Sequence, residues 1–269
     1  MLPGPPSECR PMFRHRAVPY LQKLSEGVIA SHTLKFFGIG ESLVEAQLRE
    51  QMNAMTNPTL APYAKEGECE LRITAKAPTD EEAQKLLLPT VEQVKALFGH
   101  KVYGVDVSSL EEVVFRLLRE KEMTIGTAES CTGGLFSKHM TDLPGSSAYF
   151  RGGVVSYAAD LKHSIIGVKN ETLEQFGAVS AETAREMAEG CRKVCGSDLA
   201  VAITGVAGPD KDDRGNEVGT VYIALAHRDG TICKKVLAGL GRGRGRIRSG
   251  AVQHTFDLLR RFLLELPLE

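Results

Sequence analysis

Residues 123–140 read MTIGTAESCTGGLFSKHM. A short apolar run, Met123 to Gly126, gives way to small polar residues from Thr127 to Gly134 and then to a helix-like segment. A strand, a glycine-bearing loop and a helix in that order form the unit from which α/β sheets are built. Upstream, LEEVVFRLLREKEM (110–123) has the spacing of an amphipathic helix. Downstream, GGVVSY (152–157), SDLAVAITGVAG (197–208) and GTVYIALAHRDG (219–230) are apolar runs separated by helical stretches. The pattern predicts an α/β sandwich with a mostly parallel or mixed sheet from about Val107 onward. Ligands of such sheets sit beyond the carboxyl ends of strands. TAESCTGG (127–134) and TGVAGPD (204–210) are therefore expected to face one pocket.

Working back toward the start, the texture is that of a smaller α+β unit ending near Gly104. VIASHTLKFFG (28–38) reads as a strand and GESLVEAQLREQM (40–52) as a helix, with Leu43, Ala46, Leu48 and Met52 available for its buried side. Residues 68–75 alternate polar and apolar, as a strand with one buried face does. TDEEAQKLLLPTVEQVKALFG (79–99) opens with a threonine cap and early acids, and Pro89 is expected to kink or interrupt the helix that follows. The prolines and glycine of LPGPPSE (2–8) favour an extended loop.

The chain has 269 residues, of which 42% are hydrophobic and 25% charged, with a net charge of -1. That balance gives no reason to expect a nucleic-acid or acidic-membrane partner. No apolar run approaches the roughly 18 residues that span a bilayer, and the first residues lack the apolar core of a signal peptide. The six cysteines form no CxxC pair and no histidine joins them at ligand spacing. Reduced thiols in a cytoplasmic protein and no metal site are expected.

Four stretches carry chemistry. TAESCTGG at a helix mouth offers backbone N–H groups and hydroxyls to an anion; the same residues also suit a tight turn with a capping hydroxyl. Cys131 has no nearby base and reads as a buried structural thiol. In LPGSSAYFRGGVVSYAADLKHSIIGV (143–168), two serines, Tyr157 and Lys162 are able to form a hydrolytic site without histidine, if burial lowers the lysine pKa; equally they fit a surface turn, a strand end and a solvated amine. In ITGVAGPD (203–210), the Gly205 and Ala207 N–H groups suit an oxyanion or simply a turn. Arg242, Arg244, Arg246 and Arg248 crowd the start of an amphipathic helix, where cations oppose the macrodipole. A ligand phosphate would offset them; a solvated basic loop is the alternative.

TAESCTGG, GSSAYFRGGVVSYAADLK, IGV, GAVS and TGVAGPD, in this order, closely resemble the C-terminal domain of the CinA family. That domain also occurs alone as a nicotinamide-nucleotide amidohydrolase. The resemblance implies a three-layer α/β sandwich amidohydrolase domain over 105–269, preceded by a small α+β KH-like domain over 21–104. Residues 1–20 resemble the end of the family's molybdopterin-binding-like first domain and are expected to be a remnant or linker of it. The implied activity is deamidation of nicotinamide mononucleotide to nicotinic acid mononucleotide and ammonia, with no cofactor and no metal. Matched residue by residue, Ser147 would be the nucleophile, with Tyr157 and Lys162 its activating partners. Ser130, Thr132, Gly133 and Gly134 would hold the nucleotide, Thr204 and Gly205 would line the carboxamide end, and Arg244 and Arg248 would fill the family's arginine positions. Arg242-Gly243-Arg244 stands where the family has Gly-Asp-Arg. A homodimer is also implied. The alternative is a non-catalytic nucleotide-binding or competence-related interaction module. Nucleic acid is disfavoured, because Ile39-Gly40-Glu41-Ser42 is not a GxxG loop and residues 1–103 show no basic excess.

Overall fold

The computed structural model describes residues 1–24, 27–65, 67–239, 241 and 243–268. It divides into two compact units that meet between Asp106 and Val107, two residues past the expected border at 104.

In the first unit the opening prolines do not give an extended loop. Helix α1 (Pro6–Met12) is followed by a five-residue π-helical turn, Phe13–Ala17, and α2 (Val18–Leu24). Pro5 is the extended residue before the helix and Pro6 opens it, where a missing N–H removes no intrahelical bond. Strands β1 (Val28–Phe36), β2 (Thr59–Ala64), β3 (Cys69–Ala77) and β4 (Val102–Val105) form an antiparallel sheet in the order β2-β3-β1-β4. The alternation of β3 buries Cys69, Leu71, Ile73, Ala75 and Ala77. These pack with Leu34 and Phe36 under helices α3 (Glu41–Ala54) and α4 (Asp80–Phe98). Helix α3 buries Val44 and Leu48, with Met52 partly buried; Leu43 and Ala46 face outward, so its buried stripe is narrower than expected. Thr79 caps α4 by accepting from the Glu82 N–H, and the helix runs unbroken through Pro89.

The second unit is a five-stranded mixed sheet. Its strands are β5 (Ile125–Glu129), β6 (Phe150–Val155), β7 (Leu199–Gly205), β8 (Thr220–His227) and β9 (Gly230–Leu237), in the order β6-β5-β7-β8-β9. The first three strands of that order are parallel; β8 and β9 pair antiparallel. On one face, Ala128, Ala200, Ala202, Ala224 and Ala226 leave room for helix α9 (Ala181–Cys195), which sets Ala184, Met187, Ala188 and Cys191 against them. The intervening residues, among them Val201, Ile203, Ile223 and Leu225, are equally buried and by the period of two point to the other face. That face is covered by α10 (Gly243–Leu263), with α5 (Leu110–Glu120) and α6 (Leu135–Thr141) packed against α10. Three layers result, as expected.

Helix α7 (Ala159–Ile166) joins the α9 layer through a close approach at Gly190. A Cβ at Gly190 would stand 1.6 Å from the Ile166 carbonyl oxygen. No rotamer relieves an overlap with backbone, so α7 would have to move. Gly190→Ala is expected to destabilise the fold by about 3 kcal/mol, the upper range for overpacking, measurable as a lowered urea midpoint with unchanged slope.

Candidate active site

Because β5 and β6 run parallel and adjacent, the chain leaves both at the same sheet edge. Ser130 follows β5, and Ser156 and Tyr157 follow β6; the Ser156 N–H donates to the Glu129 carbonyl at 3.0 Å and stitches the two exits together. One turn into α7, Lys162 reaches back beneath them and is fully buried. Its Nζ donates to Ser130 Oγ at 3.1 Å, to the Ser156 carbonyl at 2.6 Å and to the Tyr157 carbonyl at 3.2 Å. No carboxylate is paired with it among the described residues. Desolvation lowers its pKa to about 8, so at pH 7 roughly one amine in ten is neutral and able to accept a proton.

These residues open into a cavity of about 250 Å³. Its far wall is the turn after β7, Gly205 to Gly208, so TAESCTGG and TGVAGPD do share one pocket. Arg244, from the first turn of α10, closes one side by donating to the Tyr157 hydroxyl at 3.1 Å and the Gly208 carbonyl at 2.9 Å.

The loop from Ser130 to Gly134 is held from both sides. Gly133 (φ 58°) and Gly134 (φ 92°) adopt the left-handed backbone that a side chain would strain. Arg248 donates to the carbonyls of Cys131 (3.1 Å) and Thr132 (2.6 Å), and thus fixes the loop rather than lining the cavity. The buried Glu129 carboxylate takes the Phe136 and Ser137 N–H groups at 3.0 and 2.8 Å and the Ser137 hydroxyl at 2.6 Å. The start of α6, read from sequence as an anion site, is therefore filled by the chain's own carboxylate. The Thr132 hydroxyl is buried without a partner among the described residues. Thr204 turns its hydroxyl to the Ala178 carbonyl at 2.7 Å, and Gly205 is required by packing, since a Cβ there would lie 2.6 Å from the Thr220 carbonyl oxygen. Burial pushes the Cys131 thiol up to about 11, as suits a structural cysteine and not a nucleophile.

Ser147 requires a correction. It is exposed, in the short 3-10 turn Ser146–Ala148 that precedes β6, whereas Tyr157 and Lys162 follow the end of that strand. Six extended residues separate the two sheet edges by about 20 Å. Within the chain, Lys162 cannot touch Ser147; the serine it holds is Ser130, expected to bind nucleotide. Tyr157 is 60% exposed and lines the cavity beside Lys162; its carbonyl accepts from the lysine and its hydroxyl from Arg244. Arg242 lies outside the described residues.

Family models match both units: the CinA C-terminal domain over residues 107–263 and the damage-inducible protein CinA KH domain over residues 31–104. The chain belongs to the CinA family. A CinA-like protein of Kosmotoga olearia is 46% identical across 99% of the chain, and a putative competence-damage inducible protein of Clostridium beijerinckii is 43% identical across 98%. The chain spans 64% of the length of each of these relatives. Among solved structures, the competence damage-inducible protein A of Klebsiella pneumoniae is similar at 30% identity and a TM-score of 0.56, over 59% of this chain and 97% of that one. The competence/damage inducible protein CihA of Agrobacterium tumefaciens is 37% identical with a TM-score of 0.52, over 56% and 93%. Among the described residues no helix is long and apolar enough to cross a membrane.

Proposed function

We propose that the second unit hydrolyses the carboxamide of nicotinamide mononucleotide to nicotinic acid mononucleotide and ammonia, with Ser130 as nucleophile and Lys162 as its base. One observation carries the reading: a fully buried amine, its pKa lowered to about 8, lies 3.1 Å from a serine hydroxyl that lines an open cavity. That is the geometry of an activated nucleophile. The neutral Lys162 takes the Ser130 proton as Oγ attacks the carboxamide carbon. The tetrahedral oxyanion then collapses, Lys162 returns the proton to the leaving nitrogen, and ammonia departs. A water molecule, deprotonated by the same amine, attacks the resulting ester and frees the carboxylic acid and Ser130.

The Ala207 and Gly208 N–H groups, which belong to cavity-lining residues and have no acceptor among the described residues, are suited to the oxyanion; each such donor is commonly worth about 3 kcal/mol. Arg244 and Lys211, also in the lining, suit the phosphate of the nucleotide. The choice of a pyridine nucleotide rests on the family resemblance. Purified chain incubated with nicotinamide mononucleotide, with and without EDTA, is expected to release ammonia equally in both. A folded chain that releases none would overturn the reading.

A further inference from the structure

A second cavity, of about 290 Å³, opens at the opposite edge of the same sheet and shares no lining residue with the first. Its position follows from topology: Met123 precedes β5, Asp198 precedes β7, and His227 ends the antiparallel β8. Phe262, in the last turn of α10, and His227 supply an aromatic wall, with ring centroids 4.9 Å apart and planes tilted by 46°. Met123 adds a polarizable apolar surface. His227 Nδ1 lies 3.4 Å from the Asp229 N–H and 3.9 Å from the Asp229 carboxylate, which holds the ring in place.

The charges around the cavity are mostly engaged. The Asp198 carboxylate accepts from the Thr124 N–H and hydroxyl at 2.8 and 2.6 Å. Arg228 pairs with Asp229 at 3.2 Å, and Lys121 faces Glu265 at 4.0 Å. Arg192 differs. Its Nε donates to the Asp198 carbonyl at 2.9 Å, which orients the guanidinium; the charge is felt by the nearby Asp198 carboxylate, while the two terminal nitrogens have no hydrogen-bond partner among the described residues. A half-buried, pre-oriented fork whose two arms make no hydrogen bond to the described residues matches a carboxylate, which takes two parallel N–H bonds.

Backbone strain sits at the same place. Helices α5 and α10 both end beside this cavity in left-handed residues that are not glycine, Glu122 (φ 53°) and Glu265 (φ 56°). Each is followed by the bond that closes a glycine-type helix stop, Met123 N–H to Leu118 and Leu266 N–H to Arg261. These are two of the three non-glycine residues with positive φ among those described. Strain of this kind gathers at functional sites. The volume, about 290 Å³, is just below the ~300–1,000 Å³ typical of small-molecule sites and admits a single aromatic ring.

We propose that this cavity binds a small planar aromatic carboxylate, its ring against Phe262 and His227 and its carboxylate on the Arg192 fork. The test is titration of the whole chain with nicotinate, followed by saturation-transfer NMR, with nicotinamide as the neutral control. Saturable nicotinate binding is expected, about tenfold or more tighter than nicotinamide. Arg192→Lys, which keeps the charge but loses the fork, and Phe262→Leu, which keeps the bulk but loses the ring, should each weaken it by a similar factor. Arg244→Ala, in the other cavity, should leave it unchanged. Three results would overturn the proposal: no saturable binding by the folded chain, equal binding of the neutral amide, or binding lost in Arg244→Ala and retained in Arg192→Lys.

Discussion

Ser130→Ala is expected to lower ammonia release from nicotinamide mononucleotide by about ten-thousand-fold or more, while Ser147→Ala leaves it within about threefold. The two serines are distinguished by position alone. Ser130 Oγ accepts from the buried Lys162 amine and lines the cavity. Ser147 is exposed before β6, at the other sheet edge. Removing a nucleophile abolishes the covalent route, and binding and oxyanion stabilisation sustain only a remnant of the rate. Replacing an exposed turn hydroxyl removes no contact to the cavity. Nucleotide binding should survive in Ser130→Ala, since the loss concerns one oxygen and not the Arg244 side of the pocket. The reverse result, with Ser147→Ala inactive and Ser130→Ala active, would mean that the exposed turn reaches a site the single chain does not form.

The contrast marks where sequence reading stops. The apolar runs and amphipathic helices of residues 107–269 declare an α/β sandwich because strand and helix periods are local properties. That TAESCTGG and TGVAGPD share a pocket also follows from sequence, since both leave strands at carboxyl ends. Which serine meets Lys162 does not follow. It depends on β6 running parallel beside β5, a pairing of residues 25 positions or more apart along the chain. The nine residues between Ser147 and Tyr157 look like part of one motif, yet a whole strand lies among them. A signal was present: Ser130 and Tyr157 both occupy the first positions after a strand, and parallel neighbours bring such positions together. The Glu129 cap was hidden for a related reason, because an acid at the end of an apolar strand looks solvated until the next helix is folded over it. In the first unit, the prolines of residues 3–6 look like breakers, but Pro6 stands at the helix start, where proline is tolerated.

Lys162→Met is expected to abolish turnover while removing a burden on the fold, and pH separates the two effects. In the folded chain the amine titrates near pH 8; in the unfolded chain it titrates near its ordinary value of 10.5. Between those values the unfolded chain holds the proton and the folded chain does not, so stability rises with pH across that window. Below pH 8 the whole penalty is present, roughly 3 kcal/mol. Wild type should therefore gain about 3 kcal/mol in unfolding free energy relative to Lys162→Met between pH 7 and pH 10.5, measured by urea denaturation at each pH. The three acceptors around Nζ lose a donor in the variant, at about 1 kcal/mol each; how those bonds differ between the charged and neutral amine is already contained in the shifted pKa, so the pH-dependent part of the comparison stands. The same titration governs the reaction. Only the neutral amine accepts the Ser130 proton, so wild-type kcat/KM should rise about tenfold per pH unit below 8 and level off above it. A rate independent of pH from 6 to 9, together with a constant stability difference, would show that Lys162 keeps its proton throughout and that another group activates the serine.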